Sequence, residues 1–219
     1  MKIFSVKSIP TVSWSSDHAL NFRPRLITLS ILCVGLTVFG IGESLLIAAG
    51  VGNSPWTVLS QGISQISGWS IGVTTFLTSL AVLIFWVPLR QRPGIGTILN
   101  AVIISVAIEL SLPYLPQPDS YLLQVAETGF GIFLVGFGSG LYLIANLGPG
   151  PRDGLMTGLQ RVSNLPVARV RTAIEITVVI LGALLGGTIG LGTVLFAFGI
   201  GPAVSMGLYL VNYFSTRST

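Results

Sequence analysis

Eleven basic and seven acidic residues are all the charge this 219-residue chain carries, so those that fall among its long apolar runs stand out. Arg152 and Asp153 sit side by side in "ANLGPGPRDG" (145–154), a stretch whose prolines and glycines cannot continue a helix. Arg171 and Glu175 are four apart in "VRTAIEIT", a spacing that brings them together on one helix face. Glu43 stands alone in "GIGESLL". Ionisable groups at membrane depth are costly and usually face a bundle interior or a water-filled path. Arg152 at the start of a new helix favours an anion, and Asp153 tempers that preference by capping the helix or pairing with Arg152. Glu43 is a candidate proton-coupling carboxylate or a group bonded to a neighbouring helix. Arg171 and Glu175 are either a plain structural bridge or part of a proton or substrate path. Asn100 is a further polar residue within an apolar run, most often a helix–helix hydrogen bonder.

Other chemistries are missing. Cys33 is the one cysteine and His18 the one histidine, so a disulfide, a thiolate site or a histidine-based metal site is not expected. No Ser–His–Asp arrangement, zincin motif or nucleotide-binding loop occurs. The chain reads as a non-enzyme with no catalytic residues, no cofactor and no metal.

The elements that hold these residues must be membrane helices. The chain is 51% hydrophobic and 8% charged, with a mean hydropathy of +0.85. A soluble domain carries about a quarter charged residues. Apolar runs near 26–48, 70–89, 95–112, 122–144, 168–186 and 190–212 are each of a length to span a bilayer as a helix. They do not alternate as the strands of a membrane barrel would. With the N-terminus inside, all eleven Lys and Arg fall in or beside the inner segments, and the outer loops carry only Asp119. That is the positive-inside pattern, with both termini cytoplasmic. Residues 1–25 read as an uncleaved cytoplasmic leader and 213–219 as a cytoplasmic tail.

Sliding the chain against itself by 96 residues superposes seven glycines without a gap, Gly35 on Gly131 through Gly96 on Gly192. Pro55 meets Pro151, and "GIGTIL" meets "GLGTVL". The chain reads as a duplication, repeat 1 over 26–117 and repeat 2 over 118–212. Each copy has three spans, an odd number, so the second is inverted. Inverted repeats build many secondary transporters, with sites near the midplane at the repeat interface. The break "AGVGNSPWTV" (49–58) is in register with "ANLGPGPRDG". Asn53 or Ser54 is a candidate cap for the helix after Pro55. Trp56, Leu59, Ile63 and Ile66 share one face of it, and Leu155, Leu159 and Val162 repeat the spacing after Pro151. Each copy thus holds a helix of about three turns, too short to span, either interfacial or re-entrant. The "GIGT" and "GLGT" pairs read as tight turns.

The stretches "GVGNSPWTVLSQGIS", "RPGIGTILNA", "LGPGPRDGLMTGL", "VRTAIEIT" and "GGTIGLGTVLFAFGIGP" resemble the YczE-type branch of the YczE/YyaS/YitT family of bacterial integral membrane proteins, from about residue 25 to 212. The resemblance implies a bacterial plasma-membrane protein and brings no substrate or catalytic residue. Relatives often carry an Asp soon after the Pro–Trp of the first break, where this chain has Thr57.

The expected architecture is therefore all-α and polytopic, with six transmembrane helices as two inverted three-helix repeats, each with its short helix. The expected function is a small secondary transporter or permease for an anionic or zwitterionic solute. Asn53, Ser54, Trp56, Arg152 and Asp153 would bind the solute, and Glu43, Arg171 and Glu175 would form the proton-coupling group or a buried ion pair. The alternative is a non-transporting scaffold or regulator that docks a cytoplasmic partner through its Arg-rich inner loop. The partners expected are the lipid bilayer and a small solute, with room for a homo-oligomer and none for nucleic acid.

Overall fold

A computed structural model describes residues 9–217, with side chains to 215. Lys2 and Lys7, counted above among the inner charges, and the side chain of Arg217 lie outside the described residues. The chain folds into α1 (Leu26–Ala49), α2 (Pro55–Ser67), α3 (Ile71–Trp86), α4 (Ile95–Ser111), α5 (Tyr121–Ala145), α6 (Pro151–Ser163), α7 (Val167–Leu184) and α8 (Leu191–Arg217). No strand occurs among the described residues. Every apolar run identified above is a helix, and both breaks are followed by a 13-residue helix with proline in its first turn.

Among the described residues four helices qualify as membrane spans by length and composition, α1, α4 with the turn that follows it, α5 and α8. The expectation of six full-length spans differs from this for two physical reasons. Helix α3 has only 16 residues, and α7 carries Arg169, Arg171 and Glu175 in its first half. Helices α2 and α3 meet at a bend of 116° and together make a fifth candidate, a broken or re-entrant one.

Helices α1 and α5 run antiparallel at the centre of the molecule. Gly35 faces Gly138 and Gly42 faces Gly131, close enough that a Cβ on Gly42 would lie 2.8 Å from the Gly131 carbonyl oxygen. Only glycine permits such an approach, which in lipid replaces hydrophobic burial as the driving contact. Helix α4 packs on α1 with Gly40 against Ala107, and α8 packs on α5 with Gly136 against Ala203. The second contact is the first moved by 96 residues. The short helices cross over: α2 packs on α7, with Gly62 against Gly182, while α6 packs on α3, with Gly154 on the Trp86 ring.

The breaks repeat the same register in their backbone. Helices α1 and α5 end in left-handed residues, Gly50 and Asn146, and α2 and α6 end likewise in Gly68 and Asn164. Asparagine is among the few residues with a side chain that visits this region readily. Gly52 and Gly148 follow at φ 120° and 111°. The preceding carbonyls then receive equivalent bonds, Gly192 N–H to Val51 O at 2.8 Å and Gly96 N–H to Leu147 O at 2.7 Å. The "GIGT" and "GLGT" turns thus clamp the break of the opposite half. Thr97 adds a hydroxyl bond to the Pro149 carbonyl at 2.7 Å.

The N-terminal segment folds over one end of the bundle. The Thr28 hydroxyl donates to the Trp14 carbonyl at 2.6 Å, the Asn146 amide to the Ser16 carbonyl at 2.9 Å, and Trp14 Nε1 to Ser215 Oγ at 3.0 Å. The start of α1, the end of α5 and the end of α8 are therefore neighbours. The break at 50–53 and the turn at 186–192 meet at the other end.

Candidate functional site

The first break carries its polar side chains inward. Ser54 occupies the cap position of α2, but neither it nor Asn53 caps the helix with its side chain. The Ser54 hydroxyl lies 2.8 Å from Glu43 Oε2, and the Thr57 hydroxyl donates to the same oxygen at 2.7 Å. Asn53 turns away: its Nδ2 donates to Gln61 Oε1 at 2.8 Å, and that oxygen also accepts from the Thr188 N–H at 2.8 Å. Asn53, expected among the solute-binding residues, is instead a brace between the break and the α7–α8 turn and does not line the cavity described below. A short polar side chain beside a glycine-rich bend finds its partner in its own helix more readily than in an open space.

The second break carries the reciprocal arrangement. Tyr142 on α5 donates its hydroxyl to Asp153 Oδ2. In the first half the carboxylate is on the long helix and the hydroxyls are on the break; in the second the carboxylate is on the break and the hydroxyl on the long helix. Thr57 thus works as a donor to Glu43. Arg152 does not pair with Asp153. Its guanidinium carbon stands 5.3 Å from the centre of the Trp56 ring, within cation–π range. Trp86 Nε1 donates to the Pro151 carbonyl at 3.0 Å and fixes the start of α6. Arg171 Nε and Glu175 Oε1 are 2.7 Å apart, the one ion pair among the described residues.

Glu43, Trp56, Tyr142, Arg152, Asp153 and the Arg171–Glu175 pair line one cavity of about 210 Å³. Its wall is built of positions 96 residues apart: Glu43 with Ser139, Trp56 with Arg152, Thr75 with Arg171, Ser79 with Glu175, and Asn100 with Phe196. Of the eight site residues read from the sequence, the structure gathers seven here and leaves out Asn53. Sequence reasoning missed Tyr142, Ser139, Thr75 and Ser79. The 96-residue register carried the signal for the last three, which are the partners of Glu43, Arg171 and Glu175. Tyr142 had none, because it meets Asp153 across the break.

Three polar atoms of the wall, Glu43 Oε1, Trp56 Nε1 and Thr75 Oγ1, are buried without a hydrogen-bond partner in the protein. Their residues are 1%, 6% and 1% exposed. Unpaired buried polar atoms typically cost about 1–3 kcal/mol each, so each of the three destabilises the fold locally. No trio of His, Cys, Asp or Glu side chains converges as a metal would require among the described residues. A second, apolar hollow of about 600 Å³ lies between α2, α3, α6 and α7, again walled by register pairs such as Leu59 with Leu155 and Val82 with Val178. Trp56 belongs to both walls.

Residues 26–207 match the model of a family described as a family of unknown function, DUF6198. An uncharacterized protein of Haemophilus influenzae is 42% identical over 206 residues, 94% of each chain. The uncharacterized membrane protein YczE of Bacillus subtilis is 33% identical over 192 residues, 84% of this chain and 89% of that one. The uncharacterized protein YyaS of the same organism is 29% identical over 166 residues, 74% of this chain and 83% of its own. No solved structure matches the chain. With its apolar helices and a relative named as a membrane protein, the chain is a membrane protein; it belongs to the DUF6198 family, and YczE and YyaS are among its relatives.

Proposed function

We propose that the protein is a small secondary transporter or permease of the bacterial plasma membrane, built of two inverted repeats with both termini in the cytoplasm. The central cavity binds an anionic or zwitterionic solute. One observation carries this reading: the cavity is walled by register-paired positions from both halves, with the two breaks facing each other across it. The antiparallel course of α1 and α5 and the exchanged packing of α2 and α6 support the inversion. In transporters of this design the halves rock about a site at their interface, and glycine-lined contacts allow that movement. The 116° bend after α2 supports a re-entrant short helix whose N-terminus points into the cavity.

The rival reading, a scaffold docking a cytoplasmic partner through inner arginines, has less to stand on. Of the arginines in the inner loop and at the start of α7, Arg152 and Arg171 face the cavity and Arg161 donates to the Leu89 carbonyl at 2.8 Å, which leaves Arg169 of that group for a partner.

Reconstitution in liposomes tests the proposal. Wild-type protein should pass at least one small anion or zwitterion down an imposed gradient, and Arg152→Ala and Glu175→Gln should each slow it by about tenfold or more, the loss of roughly 1.4 kcal/mol of interaction. No flux in any gradient, or flux untouched by both changes, refutes it. The inversion is tested separately by labelling Ser67→Cys and Ser163→Cys in a Cys33→Ser background with an impermeant thiol reagent. They should react from opposite sides of the membrane.

A further inference from the structure

The charges of the cavity wall do not cancel at random. Arg171 and Glu175 neutralise each other. Asp153 is held by the Tyr142 hydroxyl and lies in the first turn of α6, where the positive end of the helix dipole faces it. Of the acids lining the cavity only Glu43 keeps a buried oxygen with no hydrogen-bond partner, and of its two bases only Arg152 has no ion pair. Both line the cavity, and they are too far apart to form an ion pair with one another. The unpartnered atoms divide the same way. Glu43 offers the spare acceptor Oε1, while Trp56, stacked beneath Arg152, offers the spare donor Nε1. Thr75 Oγ1 can serve either side.

A simple anion would neutralise Arg152 but bring a like charge before Glu43, and a simple cation would do the reverse. Leaving either wall charge buried and unpaired is the expensive outcome. We propose that the ligand of this cavity is a small zwitterion, its protonated amine seated on Glu43 Oε1 and its carboxylate or sulfonate on Arg152 and the Trp56 N–H. This inference rests on the transport reading for the role of the cavity and goes further by fixing the charge type and the direction in which the solute lies. The volume sets the size: at about 30 Å³ per water, 210 Å³ holds roughly seven waters, and so a solute of about that many non-hydrogen atoms.

The test uses the purified full-length protein and three probes of one chain length: γ-aminobutyrate, butyrate and n-butylammonium. Glycine, β-alanine and 5-aminovalerate vary the separation of the poles. Binding is followed by calorimetry. At least one amino acid of the series should bind about tenfold or more tighter than its analogues bearing a single charge, a difference of about 1.4 kcal/mol. Glu43→Gln keeps an acceptor for the Ser54 and Thr57 hydroxyls but loses the charge, so it should erase the preference over the anion and leave that over the cation. Arg152→Gln should do the converse. Butyrate binding as well as γ-aminobutyrate, variants that move both preferences alike, or no binding by any amino acid of the series at about 10 mM, a free energy weaker than about −3 kcal/mol, each overturns the proposal. Should a variant fail to fold, the wild-type ratios alone decide. Zwitterion binding without flux would keep this site and remove the transporter; flux of anions alone would keep the transporter and remove the zwitterion.

Discussion

Replacing Trp56 by Phe should leave the ligand-free protein about as stable as before, which is unusual for a tryptophan only 6% exposed. The smaller ring gives up roughly 40 Å² of apolar contact, about 1 kcal/mol at ~25 cal/mol/Å². The space left behind adds up to about 1 kcal/mol more. Against this, the change removes an indole N–H buried without a partner, a relief of about 1–3 kcal/mol. Phe keeps a face for Arg152, so the cation–π contact weakens by only a few tenths of a kcal/mol. The sum is close to zero. Trp86 is the control inside the same molecule: it is 2% exposed, and its N–H is spent on the Pro151 carbonyl. Trp86→Phe loses the same contact and space and also about 1 kcal/mol of hydrogen bond, with nothing relieved. Chemical unfolding of both variants in detergent should separate them by about 2–3 kcal/mol, with Trp56→Phe the more stable. Solute binding should show the opposite order, weakened at Trp56 by the missing donor and untouched at Trp86. A gap below about 0.5 kcal/mol, within the usual scatter of surface substitutions, would mean that the Trp56 N–H is satisfied in the free protein, and the reading of the cavity as a place short of polar partners would fail.

Three further outcomes follow from the packing and the hydrogen bonds. Gln61→Leu strands both the Asn53 amide and the Thr188 N–H and should destabilise by about 2–4 kcal/mol in the same unfolding assay, whereas a surface brace would cost little. Gly138→Ala places a Cβ 2.5 Å from the Gly35 carbonyl and 2.7 Å from the Phe39 nitrogen, backbone atoms that cannot swing aside, at a cost of about 1–3 kcal/mol. Gly129→Ala on the same helix meets nothing within 4 Å and should be neutral or slightly stabilising, which calorimetric melting can compare directly. Tyr142→Phe removes a donor from the Asp153 carboxylate and should lower stability by about 1.5–3 kcal/mol, the range for a bond to a charged group; an unchanged melting curve would show that the hydroxyl contributes nothing.

Much of the scaffold was legible because lipid leaves few choices. Apolar runs must be helices there, and the glycines that fell into register at a shift of 96 are the ones at which α1 and α5 touch and the turns clamp the breaks. Where a glycine of the first half meets an asparagine of the second, at Gly50 and Asn146 or Gly68 and Asn164, the backbone keeps the left-handed turn, so the shared shape outlasted the shared residue. The polar site was partly legible, because a charge in an apolar run is conspicuous. What could not be read was the direction in which each side chain turns. Asn53 looked like a ligand-binding residue and faces Gln61; Ser54 looked like a helix cap and faces Glu43. Tyr142 looked like an ordinary span residue and is drawn into the cavity by its bond to Asp153 across the break.

The exchange of the short helices has a consequence for how such a chain is made. When α2 leaves the ribosome, the helix on which it must rest is more than a hundred residues from being synthesised, and until α7 arrives Gln61 has no Thr188 N–H to hold. Meanwhile α3 waits for α6 to close over Trp86. The two halves are thus not successive folding units but mutual templates, and neither short helix has its full resting place until the second half has been made.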